Sequence, residues 1–165
     1  MVLSIEKKAL HLTEVFTAAQ LMVSTAESCT GGGIAAAITT IPGSAAVFDS
    51  GFVTYSNDAK QRLLGVKPVT LSSFGAVSEQ TAIEMAEGAL ANSNADISVS
   101  VTGIAGPDGG TPDKPVGTVW FAFARRGQPT RAILQHFEGD RAAVRSQAVL
   151  FALSNVLNLI QDPVK

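Results

Sequence analysis

The chain is poor in most of the residues that mark specialised protein classes. Among its 165 residues there is one cysteine, Cys29, so a disulfide framework is excluded. Its two histidines, His11 and His136, stand far apart in the sequence, which argues against a His/Cys metal site. A purely carboxylate site stays open, but no metal and no cofactor are expected. Aromatic side chains are scarce at 8 Phe, one Trp and one Tyr, so the core has to rest on Ala, Val, Ile and Leu. Only 16% of the residues are charged, and 12 Lys+Arg against 14 Asp+Glu leave a net charge of −2. That balance gives no basic footprint for a nucleic acid or an anionic membrane, and neither is expected as a partner. A signal-type apolar segment is also missing, because MVLSIEKKALHLTEVF mixes charged and apolar residues from the start. The longest uncharged run, Ser28 to Phe48, is broken by glycines, hydroxyls and Pro42. It reads as a loop and an Ala-rich buried helix, since a span needs about 20 mostly apolar residues. A soluble cytoplasmic chain with a single domain over residues 1–165 is the expectation.

What is present is apolar content, 46% of the chain, arranged in alternating periods. Ile5, Leu10, Leu12, Val15 and Phe16 give residues 4–20 the spacing of an amphipathic helix. LMVSTAES (21–28) reads as a strand entering a turn, and IAAAITTI (34–41) as a small-residue helix behind Gly31-Gly32-Gly33. SGFVTYS (50–56) reads as a second strand, followed by a short helix capped at Asn57 or Asp58 and ended by Gly65. Ser78 opens a longer helix, ISVSVTG (97–103) is a strand, and residues 103–117 form a long Gly- and Pro-rich loop. GTVWFAFARR (117–126) and TRAILQHFEG (130–139) flank Gly127-Gln128-Pro129 as a hairpin, with Arg125-Arg126 as surface charge. A long amphipathic helix from Asp140 onward closes the chain. The order α β α β α α β β β α predicts a three-layer α/β/α sandwich with a mixed, mostly parallel sheet. Ligands in such folds gather at strand carboxyl ends, which points to the loops 26–33, 55–60 and 102–117.

The first of these loops, Ala26-Glu27-Ser28-Cys29-Thr30-Gly31-Gly32, combines hydroxyls, a thiol and glycines ahead of a helix start. The helix start offers free N–H groups and a positive dipole end, suited to a phosphate or an oxyanion. Ordinary turn and cap chemistry explains the same residues. The lone cysteine is a candidate nucleophile at a helix N-terminus, or a small buried hydrophobe. In the second loop Lys60 falls in the first turn of a helix, where the dipole and any burial lower an ammonium pKa toward that of a general base. A solvated lysine beside a core-edge Tyr55 is the plain alternative. In the third, Thr102-Gly103-Ile104-Ala105-Gly106-Pro107-Asp108-Gly109-Gly110 is a shaped binding loop. There Asp108 could meet a ribose hydroxyl, orient Lys60 or cap a turn. Arg141 and Arg145, one turn apart behind the cap candidate Asp140, are suited to gripping a phosphate or to pairing with nearby carboxylates.

These pieces occur in order as AESCTGG (26–32), GFVTYSNDAK (51–60), GAVSE (75–79), SVTGIAGPDGG (100–110), KPVGTVWFA (114–122) and FEGDR (137–141). Together they resemble the CinA C-terminal domain family, the nicotinamide-nucleotide amidases, over residues 4–160. The resemblance implies hydrolysis of the carboxamide of nicotinamide mononucleotide to nicotinate mononucleotide and ammonia, in recycling of pyridine nucleotides. It implies a stand-alone form without the N-terminal molybdopterin-binding-like domain of longer members, and a metal-free serine–lysine mechanism. Ser28 then matches the nucleophile, Lys60 its general base, and Tyr55 and Thr102 assisting positions.

With that mechanism, backbone N–H groups near Thr30, Gly31 and Gly32 or at Gly103 are oxyanion-hole candidates. Gly106, Asp108, Gly109 and Gly110 join the substrate loop, and Arg141 or Arg145 takes the 5′-phosphate. A homo-oligomer, with a dimer favoured, is expected from the apolar composition. The competing expectation is a non-catalytic module that binds pyridine nucleotides or docks a partner, which would not need Ser28 and Lys60 together.

Overall fold

A computed structural model of the chain describes residues 1–161. Its elements in chain order are α1 (Val2–Ala19), β1 (Val23–Glu27), α2 (Gly33–Thr39), a short 3-10 helix (Ser44–Ala46) and β2 (Phe48–Val53). They continue with α3 (Asn57–Leu64), α4 (Pro68–Phe74), α5 (Glu79–Ala91), β3 (Ile97–Gly103), β4 (Thr118–Arg125), β5 (Arg131–His136) and α6 (Arg141–Gln161). One five-stranded sheet runs in the order β2-β1-β3-β4-β5. β1 pairs in parallel with both β2 and β3, while β4 is antiparallel to its neighbours β3 and β5. β4 is therefore the one strand running against the rest. Helices α1, α2 and α6 pack together on one face, and α3, α4 and α5 lie on the other. The α/β/α sandwich with a mixed, mostly parallel sheet is thus the observed architecture.

Burial explains the strand sequences. β1 is buried along its whole length and β3 over its first six residues, because helices cover both faces. The edge strand β2 alternates instead, and β5 is exposed or half-buried throughout. The main core joins Leu12 and Phe16 of α1, Ile34 and Ile38 of α2, and Val144, Leu153 and Leu157 of α6 to the sheet. Helix α6 is long and apolar enough to cross a membrane by length and composition, yet that apolar stripe is the one that packs against α1, α2, β3 and β4. On the opposite face α5 lies so close to the sheet that Ser98 and Ser100 donate to the Ala86 and Ala82 carbonyls, the latter at 2.6 Å. Small side chains (Ala82, Ala86, Ala89) make that approach feasible.

Several boundaries differ from the sequence reading, each for a local reason. β2 starts at Phe48 and stops at Val53, so Tyr55 stands in the loop beyond the strand. The α3 cap is Ser56, whose hydroxyl accepts from the Ala59 N–H, rather than Asn57 or Asp58. Helix α4 was absent from the sequence reading. At seven residues, opened by Pro68, it is too short to show a helical period. Arg125 and Arg126 are more than surface charge. Arg126 donates to the carbonyls of Leu90, Ser93 and Ala95, tying off the end of α5, and Arg125 donates to Leu159 O on α6.

Gly88 sets the distance between α5 and α3, since a Cβ there would lie 2.0 Å from the Leu64 carbonyl oxygen. Gly88→Ala is expected to destabilise the fold by about 2–3 kcal/mol through overpacking against backbone, lowering the melting temperature by roughly 5–10 °C. A thermal melt of the variant that matches the parent would show that the two helices can separate freely.

Candidate active site

The carboxyl ends of β1, β2 and β3 lie side by side, and the chain leaves β1 toward one face of the sheet and β2 toward the other. This is the switch point at which open α/β sheets leave a crevice. Ser28 follows β1 directly, and its N–H is held by the Val101 carbonyl of β3. Thr54 follows β2, with its N–H on the Glu27 carbonyl. Three strand ends are thereby locked together by main-chain bonds, and the side chains that leave them are aimed from a rigid base.

Lys60 enters this crevice from α3. Only 1% of it is exposed, and its Nζ donates to Thr54 O at 2.9 Å and to Ser28 Oγ at 3.1 Å. Among the described residues it forms no ion pair. Burial pushes its pKa below the ordinary 10.5, against a smaller opposing effect of the nearby Cys29. The 3.1 Å contact serves in both protonation states. An ammonium donates to the Ser28 oxygen, whereas a neutral amine accepts the Ser28 hydroxyl hydrogen and keeps its own N–H on Thr54 O. A hydroxyl so placed can be deprotonated at low expense and can attack a carbonyl carbon.

A cavity of about 280 Å³ opens onto this pair. It brings together Ser28, Tyr55, Lys60, Thr102, Gly103, Gly106, Asp108, Gly109 and Arg141 from the residues singled out in the sequence. Thr102 Oγ1 donates to Ala76 O and fastens the segment after α4 to the end of β3. Arg141, from the first turn of α6, donates to Gly106 O and to the Tyr55 hydroxyl, both at 2.9 Å. Asp140 caps that helix, its Oδ1 accepting from Ala143 N–H. Asp108 lines the cavity but makes no ion pair with Lys60. A second cavity of about 550 Å³ shares Ala105, Gly106 and Arg141 with the first and adds Arg145.

Thr30, Gly31, Gly32, Gly110 and Arg145 do not line the Ser28 cavity. Arg145 reaches the Thr30 carbonyl instead, at 3.3 Å, and Gly110 packs against Val116 of its own loop. The start of α2 is not a free dipole end either. Glu27, wholly buried, accepts from Ile34 N at 2.8 Å through Oε1 and from Ala35 N at 3.0 Å through Oε2. Thr30 Oγ1 adds a third bond to Glu27 at 2.6 Å. The anion-binding amides expected behind the glycines are therefore occupied by the chain's own carboxylate. Cys29 also touches the Ser28 cavity but lies in the main core at 5% exposure, and burial pushes its thiol up to about 11, which removes the thiolate a nucleophile needs.

Sequence reasoning gave no site role to Glu27, Thr54, Ala76 or Val77, and it offered Asn57, which also lines the cavity, only as a helix cap. The GAVSE block contained Ala76 and Val77, but an apolar wall and a main-chain carbonyl acceptor carry no side-chain signature. Among the described residues no three His, Cys, Asp or Glu side chains converge as a metal site.

A hydroxyl paired with a buried, lowered-pKa amine at the switch point of an α/β/α sandwich is equipped for acyl transfer. The chain belongs to the CinA C-terminal domain family, whose profile matches residues 5–160. It is 56% identical to the nicotinamide-nucleotide amidohydrolase PncC of Enterobacter agglomerans, over 92% of this chain and 95% of that protein. Identity to PncC of Escherichia coli K12 is also 56%, over 81% of each chain. A crystal structure of the competence/damage inducible protein CihA from Agrobacterium tumefaciens superposes with a TM-score of 0.92 at 50% identity, covering 94% of this chain and 95% of that one.

The buried amine predicts a pH dependence of stability. Lys60 has a folded pKa below its unfolded value, so between the two the unfolded chain holds more protons and stability rises with pH. The unfolding free energy of the parent minus that of Lys60→Met is expected to increase as the pH is raised toward 10.5 in urea titrations. A flat difference would mean that the amine titrates as it does in water.

Proposed function

We propose that this chain hydrolyses the carboxamide of nicotinamide mononucleotide, with Ser28 as nucleophile and Lys60 as general base. The observation that carries the reading is the 3.1 Å contact between a buried, unpaired lysine amine and a serine hydroxyl at the floor of a cavity. The amidohydrolase names of relatives at 56% identity supply the substrate.

In this reading the neutral Lys60 amine takes the Ser28 proton as Oγ attacks the carboxamide carbon. The tetrahedral intermediate collapses, its C–N bond breaks, and the departing nitrogen takes the proton that Lys60 received, so that ammonia leaves and the amine is neutral again. Tyr55 can assist this step, since its hydroxyl oxygen accepts from Arg141 and leaves its own hydrogen free to donate. Water, deprotonated by the same amine, then hydrolyses the Ser28 ester to release nicotinate mononucleotide. The oxyanion needs main-chain donors, worth about 3 kcal/mol each. With the α2 amides engaged by Glu27 and the Ile104 N–H by Thr118 O, the candidates for that task are the N–H groups of Cys29, Gly103, Ala105 and Gly106, which line the cavity.

Arg141 takes the 5′-phosphate in preference to Arg145, because Arg141 lines the Ser28 cavity and Arg145 does not. Asp108 and Gly109 on the same rim face the ribose. The reading places the enzyme in the cytoplasm as a homo-oligomer, with exposed Val2, Leu3, Val69 and Phe74 as apolar surface for self-association.

Ammonia release from nicotinamide mononucleotide tests the core of the proposal. Ser28→Ala is expected to lose at least about a thousandfold in kcat, while Cys29→Ala keeps the reaction. A folded chain that binds the nucleotide but releases no ammonia would be a sensor or docking module instead. Arg141→Ala is expected to raise KM for the mononucleotide about tenfold or more, and for nicotinamide riboside far less. Equal effects on both would remove Arg141 from the phosphate.

A further inference from the structure

The geometry points to Glu27 as a positioning residue: its buried carboxylate holds the 28–33 turn so that the Ser28 hydroxyl meets Lys60. The inference rests on Ser28 acting as the nucleophile.

Glu27 is the last residue of β1 and immediately precedes Ser28. It is wholly buried, and it spends its two oxygens on three donors, Thr30 Oγ1, Ile34 N and Ala35 N. Its main chain is fixed at the same time, as its carbonyl accepts from Thr54 N–H, the residue whose own carbonyl accepts from Lys60. Residues 28 to 33 therefore form a closed loop, anchored at one end by strand β1 and at the other by the capped start of α2. Within it Gly31 N–H bonds the Ser28 carbonyl and Gly33 N–H bonds the Thr30 carbonyl. Arg145 grips Thr30 O from outside.

The left-handed residues Gly31 and Gly32 (φ +59° and +98°) would otherwise leave the turn soft. A carboxylate supplies acceptors in both directions and satisfies all three donors. A glutamine of equal shape cannot, because its amide nitrogen would face an N–H or O–H donor. Thr30, whose N–H the sequence offered to the oxyanion, belongs to this clamp by its contacts. A shift of about 1 Å in a reacting atom is enough to cost a hundredfold in rate.

The test compares Glu27→Gln, Thr30→Val and Thr30→Ser with the parent. Rates are taken per folded molecule, and two readouts are used: ammonia release from nicotinamide mononucleotide, and covalent labelling of Ser28 by an alkyl fluorophosphonate. Glu27→Gln is expected to lower kcat by 10- to 100-fold with KM within about twofold, and to slow labelling in proportion. Thr30→Val is expected to fall further than Thr30→Ser, which keeps the donor. Unchanged kcat and labelling in Glu27→Gln, even with a lower melting temperature, would reduce Glu27 to a structural cap and overturn the inference. If the parent releases no ammonia, the substrate reading has failed, and the labelling rates alone decide for or against Glu27. If Glu27→Gln does not fold, the Thr30 pair decides in the same way, equal rates for the two counting against it. A folded parent inert in both assays leaves no nucleophile to position and overturns the inference as well.

Discussion

Everything at the site depends on keeping a primary amine dry without giving it a counter-ion. Lys60 is surrounded by strand ends, and the partners it has are a main-chain carbonyl and a hydroxyl. A carboxylate in the same place would raise the amine's pKa and stabilise the pair, but would leave the amine protonated and unable to take a proton near neutral pH. The parallel triplet β2-β1-β3 solves this by supplying neutral acceptors. Its carboxyl ends present carbonyl oxygens, and the one acidic side chain there, Glu27, is turned away into the start of α2. The placement of a single carboxylate thus serves two ends, since the helix gains a cap and the lysine is spared an ion pair.

The division of labour between elements follows from their stiffness. The groups that would do chemistry, Ser28, Lys60 and Thr102, stand at or just after elements pinned by main-chain bonds and are buried. The groups on the rim, Tyr55, Asp108, Gly109 and Arg141, are exposed and sit on loops or at the first turn of α6. Loop 104–117 is shaped rather than slack, with Ile104 and Thr118 bonded across its base and a turn closed by Thr111 and Lys114 at its far end. Lys114 also reaches over to the Phe74 carbonyl, tying the loop to α4. Such a rim can adapt to a substrate while the floor stays fixed.

Much of this was legible in the sequence. The periods of α1, α5 and α6, the bounds of β3 and the hairpin after residue 117 follow from hydrophobic spacing and turn residues. Glycine clusters at strand ends marked two of the three loops that build the cavity. What escaped was either main-chain or dual in meaning. The carbonyl of Thr54 has no sequence signature, and seven-residue α4 is shorter than two helical periods. Glu27 reads as one polar residue in a turn, since only the fold shows that its side chain bends back to the helix that follows. The glycines behind it looked like an anion cradle for the same reason, because nothing in the sequence shows that the cradle is already filled. Lys60 could be weighed as a base or as a solvated cation. Its burial, a property of three strands converging, rules out the solvated cation.

One unit of sequence brings the residues of the Ser28 cavity together. The cavity lining runs from Ser28 to Arg141, well inside the matched span of residues 5–160. The same unit occurs as part of a longer chain in a putative competence-damage inducible protein of Symbiobacterium thermophilum. That protein is 55% identical over 82% of this chain, and the match accounts for 34% of its length. A site enclosed in this way needs no residue from a neighbouring domain to bring Ser28, Lys60 and Arg141 together, and what surrounds it can vary without disturbing it. The exposed rim is where such surroundings would act. Arg141 already bridges the long loop and Tyr55, so a contact that moves either would reshape the rim and leave the serine and lysine where the strands hold them.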